Sequence, residues 1–577
     1  MSYKVELNTA IKTDTLDQDK VLSPKKTVEK FKEKISKLDL NILSKTERID
    51  NGRLDIPVFF SECGSDAKEV IGTNKQMGKG ATPAQAEASA VMELAERFSF
   101  FSFKNNPANF ISGAYKDVGD KAIPFSMILQ SVHDEGGDIE AKKKIFETLP
   151  LKWTQGYNLT KQEEVLVPFN WFYMINEFNG PCAGNCVEEA ISQGICEIVE
   201  RHTSSLVSQG KLKVPGIDPA SATDPMVKEM LAKYRKAGIS LHISDFTQDM
   251  GIPTVGVMAY DKTTFPVMSE IVWTAGTTPN PEKALSRALT ETAQLAGDFN
   301  TGSNFVASGL PKFTSLKEAE YITNPEKYIS INDLPDRSNI DIKIEVESMV
   351  SELSKRGMDV ILINVMHKGL EIPAFYTIIP GAHFRERAVD ASVGMFSARL
   401  ITENFEPAKA LLKLDGIEKL IPEKYYTHFY KGLSFLSLHD NISALEHFEK
   451  ALDLEPAELN IPDICSYMGL CLKDMEQYEK ALKILAKGEA IDEQRTDIHN
   501  LIGFCHFKMK NHEHAIKSFK KNISIDPSSA IDYANVASNY RDMGNSKAAI
   551  KYYEMALKID PSIVFAKESL ARLKSAK

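Results

Sequence analysis

The stretch Ser89–Arg97 reads Ser-Ala-Val-Met-Glu-Leu-Ala-Glu-Arg and ends in the pattern Glu-x-x-Glu-Arg. The same pattern returns further along the chain at Glu197–Arg201, as Glu-Ile-Val-Glu-Arg. Both copies lie in windows of helical apolar periodicity, and residues three apart on a helix share a face. Each copy therefore places two carboxylates side by side, with a guanidinium next to them.

These four acids lie among apolar residues, where carboxylates are costly to bury unless a cation neutralises them. Oxygen ligands without a nearby His or Cys suit Mg²⁺, which also accepts substrate phosphates as ligands. A di-iron site would call for Glu-x-x-His, but Arg97 and Arg201 follow the second acid of each pair. The alternative is two solvated helix faces with local ion pairs.

Length and composition exclude several classes of protein. The 577 residues predict several domains, and the net charge of −10 argues against a general nucleic-acid or membrane-surface binder. We see no signal peptide and no apolar run long enough to span a membrane. The seven cysteines, odd in number and widely spaced, predict reduced thiols in a cytoplasmic protein.

The N-terminal region combines a polar end with a helix start. We expect residues 1–20 to be loosely held, and Ser23-Pro24 to begin a helix. Three lysines cluster around this start, namely Lys20, Lys25 and Lys26. They form either a solvated basic turn or a contact to a phosphate.

Two small-residue segments precede the acid helices. Gly78-Lys79-Gly80 leads into Thr82, an N-cap for the first helix, but it lacks the spacing and the Ser/Thr of a P-loop. Asn179–Cys186 leads into the second helix. Because the cysteines there form no C-x-x-C pair, we interpret Cys182, Cys186 and Cys196 as core or loop residues rather than zinc ligands.

The remaining N-terminal pattern predicts an α+β domain, with mixed sheet and helices packed on it. A helix over Glu282–Leu295 would carry Arg287, Glu291 and Gln294 on one face. The alternative is that this face has no function and is only solvated. The predicted strands are Ile56–Phe60, Val165–Pro168, Trp171–Tyr173, Ile239–Ser244, Pro253–Tyr260, Phe265–Trp273, Asp359–Asn364 and Phe375–Ile379.

The C-terminal region repeats. Gly432, Gly469, Gly503 and Ala537 recur at intervals of 37, 34 and 34 residues, with extra residues near Leu459–Pro462. A 34-residue helix–turn–helix period with small residues at the crossings is typical of tetratricopeptide repeats, which form an all-α solenoid that binds peptides or partner proteins. A purely structural or dimerising module is the alternative.

Three separated motifs resemble those of the YcaO superfamily in type and order, over residues 20–405. They are Ser89-x-x-x-Glu93-x-x-Glu96-Arg97, Asn185-x-x-x-Glu189…Glu197-x-x-Glu200-Arg201 and Arg287-x-x-x-Glu291-x-x-Gln294. The resemblance implies a YcaO-type α+β domain that uses ATP and Mg²⁺ to phosphorylate a peptide backbone amide after, or together with, attack by a nucleophile. Together with the 34-residue period, it divides the chain into an extension (1–20), a catalytic domain (21–410), a linker (411–423) and about four repeats (424–577).

The resemblance also implies roles for particular residues. The metal ligands would be Glu93, Glu96, Glu197 and Glu200. The nucleotide contacts would be Lys20, Thr27, Asn185, Glu189, Arg201, Arg287 and Glu291. Arg201 and Arg287 would also be catalytic, because phosphoryl transfer depends on neutralising charge. Cys182 stands where relatives often have Ser, and we leave it out of the site.

One departure bears on the product. Azoline-forming relatives often end in a Pro-rich tail, whereas this sequence runs into repeats and ends Leu-Lys-Ser-Ala-Lys. We therefore expect thioamide formation with sulfide or another sulfur donor, or an accessory role in sulfur modification such as methylthiolation of ribosomal protein S12. The alternatives are an azoline-forming cyclodehydratase and an ATP-binding scaffold without catalysis. The expected partners are a peptide or protein substrate and a protein held by the repeats; the sequence leaves a homodimer open.

Overall fold

The computed structural model describes residues 4–575 apart from 51, 135, 267–268, 297–298, 300–312, 314 and 385–390. The chain divides into two units, residues 1–136 with 151–392 and residues 137–150 with 393–577. In the described ranges, no helix has the length and apolarity needed to cross a bilayer.

Helices occur throughout the chain. They are α1 (Pro24–Ser36), α2 (Ser65–Ile71), α3 (Pro83–Asn105), α4 (Tyr115–Val118), α5 (Phe125–Ser131), α6 (Ile139–Phe146), α7 (Phe169–Asn176), α8 (Val187–Gln209), α9 (Pro225–Lys236), α10 (Pro281–Ala296), α11 (Glu320–Thr323), α12 (Ile342–Ser354), α13 (Val393–Asn404), α14 (Pro407–Leu420), α15 (Tyr425–Ser437), α16 (Asn441–Asp453), α17 (Ile461–Asp474), α18 (Tyr478–Ile491), α19 (Thr496–Lys508), α20 (His512–Ile525), α21 (Ala530–Asp542), α22 (Ser546–Ile559) and α23 (Val564–Ser575).

Strands lie only in the first unit, as far as the structure describes it. They are β1 (Leu43–Arg48), β2 (Val58–Cys63), β3 (Lys75–Lys79), β4 (Ile111–Gly113), β5 (Leu151–Asn158), β6 (Glu163–Pro168), β7 (Pro181–Ala183), β8 (Gly216–Ile217), β9 (Ile239–Asp245), β10 (Thr254–Asp261), β11 (Val272–Thr277), β12 (Tyr328–Ile329), β13 (Ile361–Asn364) and β14 (Ala374–Ile378).

Each of the three motif helices packs on a different sheet. Helix α3 lies on the three-stranded sheet β1-β2-β3, and α10 lies on β10 and β11 of the five-stranded sheet β11-β10-β9-β8-β12. Helix α8 lies on β7 and β14 of the third sheet, ordered β4-β5-β13-β14-β7, with β6 paired to β5. Neighbouring strands are antiparallel except β8 and β12. The mixed α+β class predicted from sequence is confirmed.

Glycine allows two of these helices to approach their sheets closely. A Cβ on Gly78 of β3 would lie 2.1 Å from the amide nitrogen of Ala90 in α3. A Cβ on Gly276 of β11 would lie 2.3 Å from the carbonyl oxygen of Ala284 in α10. Any larger residue would have to push strand and helix apart, so these two positions set the depth at which the motif helices lie.

The N-terminal segment is held in place, and the expectation of a loose end is wrong for residues 8–21. Lys12, nearly fully buried, pairs with Asp19 (2.7 Å) and Glu345 (2.5 Å). Asp17 accepts a hydrogen bond from the Ala81 amide at 2.6 Å. A polar composition predicts disorder only where charges stay solvated, and here distant residues neutralise them.

Most predicted strands are confirmed, with two exceptions. Trp171–Tyr173 lies in α7, because the aromatic side chains of this helix pack on two sides; the Trp171 indole, for example, donates to Ser131 at 3.0 Å. Of the predicted strand Phe265–Trp273, residues 267–268 lie outside the described residues, and among the described ones only the end is strand, since β11 begins at Val272. Pro266 lacks the N–H that a strand ladder needs.

The C-terminal helices pair as tetratricopeptide repeats, in the order α15–α16, α17–α18, α19–α20 and α21–α22. The recurring glycines accommodate a large side chain of the paired helix, so that a Cβ would lie within 3 Å of it; the pairs are Gly432 with Phe448, Gly469 with Leu485, and Gly503 with Phe519. The extra residues of the first interval include a short 3₁₀ turn, Glu458–Asn460.

The second unit begins before the first repeat. Helices α6, α13 and α14 pack on one another, and α13 and α14 also pack on α15. Most of the segment 411–423 is therefore helical, within α14. The domain boundaries expected from sequence stay a prediction.

Candidate functional site

A polar cavity of about 440 Å³ lies where the three motif helices converge. Most of the residues assigned from sequence line it: Glu93 and Glu96 of α3, Glu189, Glu197 and Arg201 of α8, Arg287 and Glu291 of α10, and Lys20, Thr27 and Asn185 from outside these helices. Glu200 is the exception, because it is not among the residues that line the cavity. Lys25 and Lys26 are exposed and outside the lining, which favours a solvated turn for those two.

The position of the first pair of acids follows from the residue at which α3 begins. The Thr82 hydroxyl accepts from the Gln85 amide at 3.2 Å, so the predicted N-cap is confirmed. One helical turn apart, Glu93 and Glu96 both meet Arg97, at 2.9 and 3.6 Å. Burial, and then the charge of Glu93, raises the pKa of Glu96 well above its ordinary value.

The second pair differs between its two members. Glu197 faces the cavity and accepts from the Gly180 amide at 3.2 Å, and burial raises its pKa. Glu200 accepts from the Thr277 amide at 3.2 Å and from Arg287 Nε at 3.3 Å. Glu200 thus connects α8 to β11 and α10, and it orients a cavity-lining guanidinium.

The third motif contributes one cation and one acid from α10. Arg287 donates to Glu200 and, at 3.1 Å, to the Gln193 side chain, so two residues of α8 fix its guanidinium. Glu291, one turn further, contacts the ammonium of Lys79. This arrangement places positive charge from α10 opposite the acids of α3.

Glu189 organises the cavity edge. Its Oε2 accepts from both the backbone and the side-chain amide of Asn185, at 2.9 and 3.0 Å, while its Oε1 accepts from the Val21 amide at 2.6 Å. The segment that carries Lys20 is therefore attached to the beginning of α8. Thr27 donates to the Ser23 carbonyl at 3.2 Å within the start of α1.

The donor set fits a hard divalent cation. Glu96 is buried and Glu197 is half-buried, and the raised pKa values of both mean that their negative charge lacks full compensation. A Mg²⁺ ion together with nucleotide phosphates would compensate it. Among the described residues no three His, Cys, Asp or Glu side chains are grouped closely enough to hold a metal by themselves, so the assignment of individual ligands stays a prediction.

Sequence reasoning missed several lining residues. Lys79, the last residue of β3, projects into the cavity, and burial, followed by the charge of Arg287, lowers its pKa to about 7. Arg97 and Gln193 also line the cavity. The signal for Lys79 is the Gly-Lys-Gly sequence before the Thr82 cap, which is no P-loop but places a lysine beside the start of the first acid helix.

A family match defines the class of this protein as an ATP-dependent enzyme. The profile described as YcaO cyclodehydratase, ATP- and Mg²⁺-binding, matches residues 77–383, more than half of the chain. The chain belongs to the YcaO family, and its cofactors are ATP and Mg²⁺. Residues 496–529 and 533–563 match the tetratricopeptide repeat, a protein-interaction module.

Three individual proteins are similar to this chain. An uncharacterized protein of Methanothermobacter thermautotrophicus is 27% identical over 378 residues, covering 62% of this chain and 93% of that protein. A heterocyclase solved with substrate and cofactor is 22% identical with a TM-score of 0.53, covering 66% of this chain; the chain spans only 55% of that protein. YcaO of Methanopyrus kandleri, solved with AMPPCP and Mg²⁺, is 22% identical with a TM-score of 0.50, covering 66% and 96%. The two solved structures share the fold.

Proposed function

We propose that the protein uses ATP and Mg²⁺ to phosphorylate the oxygen of a backbone amide in a peptide or protein substrate, and that sulfur then replaces this oxygen. The proposal depends on one observation: three helices, each packed on a different sheet, converge on one cavity. That cavity combines buried acids, guanidiniums and an ammonium, which is the set of charges that a metal-bound triphosphate requires.

The residues of this chain would act mainly by positioning and charge. Arg201 and Arg287 would neutralise the charge that develops on the transferring phosphoryl group. Asn185, Glu189 and Glu291, with Lys20 and Thr27, would orient the nucleotide. Mg²⁺, held by Glu93, Glu96 and Glu197, would supply charge neutralisation of the triphosphate. Glu200, the fourth ligand predicted from sequence, lies outside the cavity lining and would instead keep Arg287 in place.

The proposed reaction balances without an oxidant or reductant. Hydrosulfide adds to the amide carbon, and the former carbonyl oxygen takes the γ-phosphoryl group of ATP, which leaves ADP. Breaking the carbon–oxygen bond then releases phosphate and forms the carbon–sulfur double bond, while the proton of the hydrosulfide is lost to solvent. The products are a thioamide, ADP and phosphate.

The sulfur donor is proposed to come from outside this chain. Cys182 and Cys196 are buried near the cavity, and burial raises the pKa of both thiols, that of Cys196 to about 12. Burial also raises the pKa of Cys186 to about 12. A protonated thiol is a poor sulfur nucleophile at neutral pH, so these cysteines are unsuited to carry the sulfur.

The repeats are proposed to hold the protein substrate or a partner that delivers it. Solenoids of this type present an extended surface to peptides. Removing residues 424–577 should therefore leave ATP turnover in the absence of substrate unchanged while lowering activity on the native protein substrate.

One incubation tests the central proposal. The full chain is mixed with ATP, Mg²⁺, sulfide and candidate peptides, and phosphate release is measured beside the peptide mass. The expected product is heavier by one oxygen-to-sulfur exchange. A peptide lighter by one water would indicate azoline formation instead, and ATP binding without turnover over many substrates would favour a scaffold.

A further inference from the structure

The Gly78-Lys79-Gly80 sequence places one lysine inside the cavity. Both glycines face α3: a Cβ on Gly78 would lie 2.1 Å from the Ala90 amide nitrogen, and one on Gly80 2.7 Å from that of Ala86. Side chains alternate along an extended segment, so Lys79 is directed to the opposite side, toward α10. The two glycines thus press the segment against one motif helix while its lysine reaches another.

Lys79 is enclosed by charged groups. Its side chain is 18% exposed, and its ammonium contacts the Glu291 carboxylate. Burial and then the charges of Arg287 and Arg201 lower its pKa, whereas the charges of Glu200 and Glu93 raise it. An ammonium has three N–H donors, of which this carboxylate occupies one.

This surrounding is suited to an anion with several oxygens. The cavity holds two guanidiniums beside the ammonium, and the lining acids are those that would face a metal ion. A polyphosphate with its bound metal ion would place negative oxygens beside the cations and the positive metal ion beside the acids. Lysine binds such groups as a point charge, in contrast to the bidentate guanidinium.

We propose that Lys79 is a further nucleotide-binding residue, whose ammonium contacts the β- or γ-phosphate of ATP while Glu291 holds it in place. The proposal rests on the proposed function, because it takes the cavity to be the nucleotide site. In the alternative, Lys79 would only pair with Glu291 and would not contact the nucleotide.

The experiment measures binding of two probes to the full chain by titration calorimetry. AMPPCP with Mg²⁺ carries the full set of phosphates, whereas AMP lacks the two outer ones. Lys79→Met should weaken AMPPCP binding by about tenfold or more and leave AMP binding within about twofold. Lys79→Arg should recover part of the loss. Lys45→Met makes the same change on an exposed residue of the same sheet and should change neither.

A double variant tests whether Lys79 acts only by neutralising Glu291. If it contacts phosphate, adding Lys79→Met to Glu291→Gln still lowers AMPPCP affinity relative to Glu291→Gln alone. Disappearance of that loss would overturn the proposal, as would an equal loss of AMP and AMPPCP in the single variant. Should Lys79→Met fail to fold, Lys79→Gln replaces it with the same expected ratio.

The two proposals fail in different ways. If the unmodified chain binds no AMPPCP with Mg²⁺, the proposed function falls and the Lys79 proposal falls with it. If the unmodified chain binds AMPPCP and the Lys79 variants bind it equally well, only the Lys79 proposal is overturned.

Discussion

Replacing Glu197 with glutamine should lower activity and raise stability at once. The half-buried carboxylate accepts one hydrogen bond, from the Gly180 amide, and the glutamine oxygen can accept it in the same place. Burial raises the folded-state pKa of Glu197 above its unfolded value, so the acid costs stability at neutral pH, and glutamine removes that cost. We expect the free energy of unfolding to rise by about 0.5–2 kcal/mol.

The effect on function has the opposite sign. Glutamine offers a neutral oxygen where Mg²⁺ would have an anionic ligand, so AMPPCP binding in the presence of Mg²⁺ should weaken by about tenfold or more. ATP turnover should fall by about 100-fold or more, since charge neutralisation is the main catalytic effect in phosphoryl transfer. Phosphate release measures the turnover, and thermal unfolding measures the stability.

Glu188→Gln is the matched control on the same helix. Glu188 is more deeply buried than Glu197 and likewise accepts one backbone hydrogen bond, from Asn8 at 2.6 Å, but it lies outside the described cavity lining. It should leave turnover unchanged. The reasoning would be refuted if Glu197→Gln turned over ATP at the normal rate, or if it lost stability together with activity.

Three further perturbations test other parts of the structure. Arg287→Ala should lower ATP turnover by about 1,000-fold or more, because it removes charge from the phosphoryl group, and near-normal phosphate release would contradict this. Gly78→Ala should lower the free energy of unfolding by about 1–3 kcal/mol, because its Cβ would lie 2.1 Å from the Ala90 amide nitrogen; an unchanged melting temperature would count against that packing. Burial lowers the pKa of His202 to about 3, so only the unfolded chain gains this proton as pH falls below about 6.5, and stability should drop by about 2 kcal/mol near pH 5. His202→Asn, which keeps an acceptor for the His383 amide but cannot titrate, should reduce that drop, and an equal drop in thermal unfolding would disprove the assignment.

Local patterns predicted the helices of the site well. The apolar periodicity around Glu93 and Glu197, the Thr82 cap and the helix bearing Arg287 all depend on residues within a few turns of one another. The repeat period was equally local, because each glycine meets a side chain of its own helix pair. The strand prediction failed at α7, whose aromatic run has the composition of a strand, because burial outweighed the local strand propensity.

The sequence by itself determined the class of fold, the repeat array and the charged groups of the site, because spacing along a helix decides which side chains share a face. Only the tertiary structure decided which partner each group has: Glu200 accepts from Arg287, Lys79 pairs with Glu291, and Glu189 binds the polar N-terminal segment. The reason is that each of these contacts joins residues far apart in the chain, and a buried charge acquires its partner and its pKa only when distant elements pack around it.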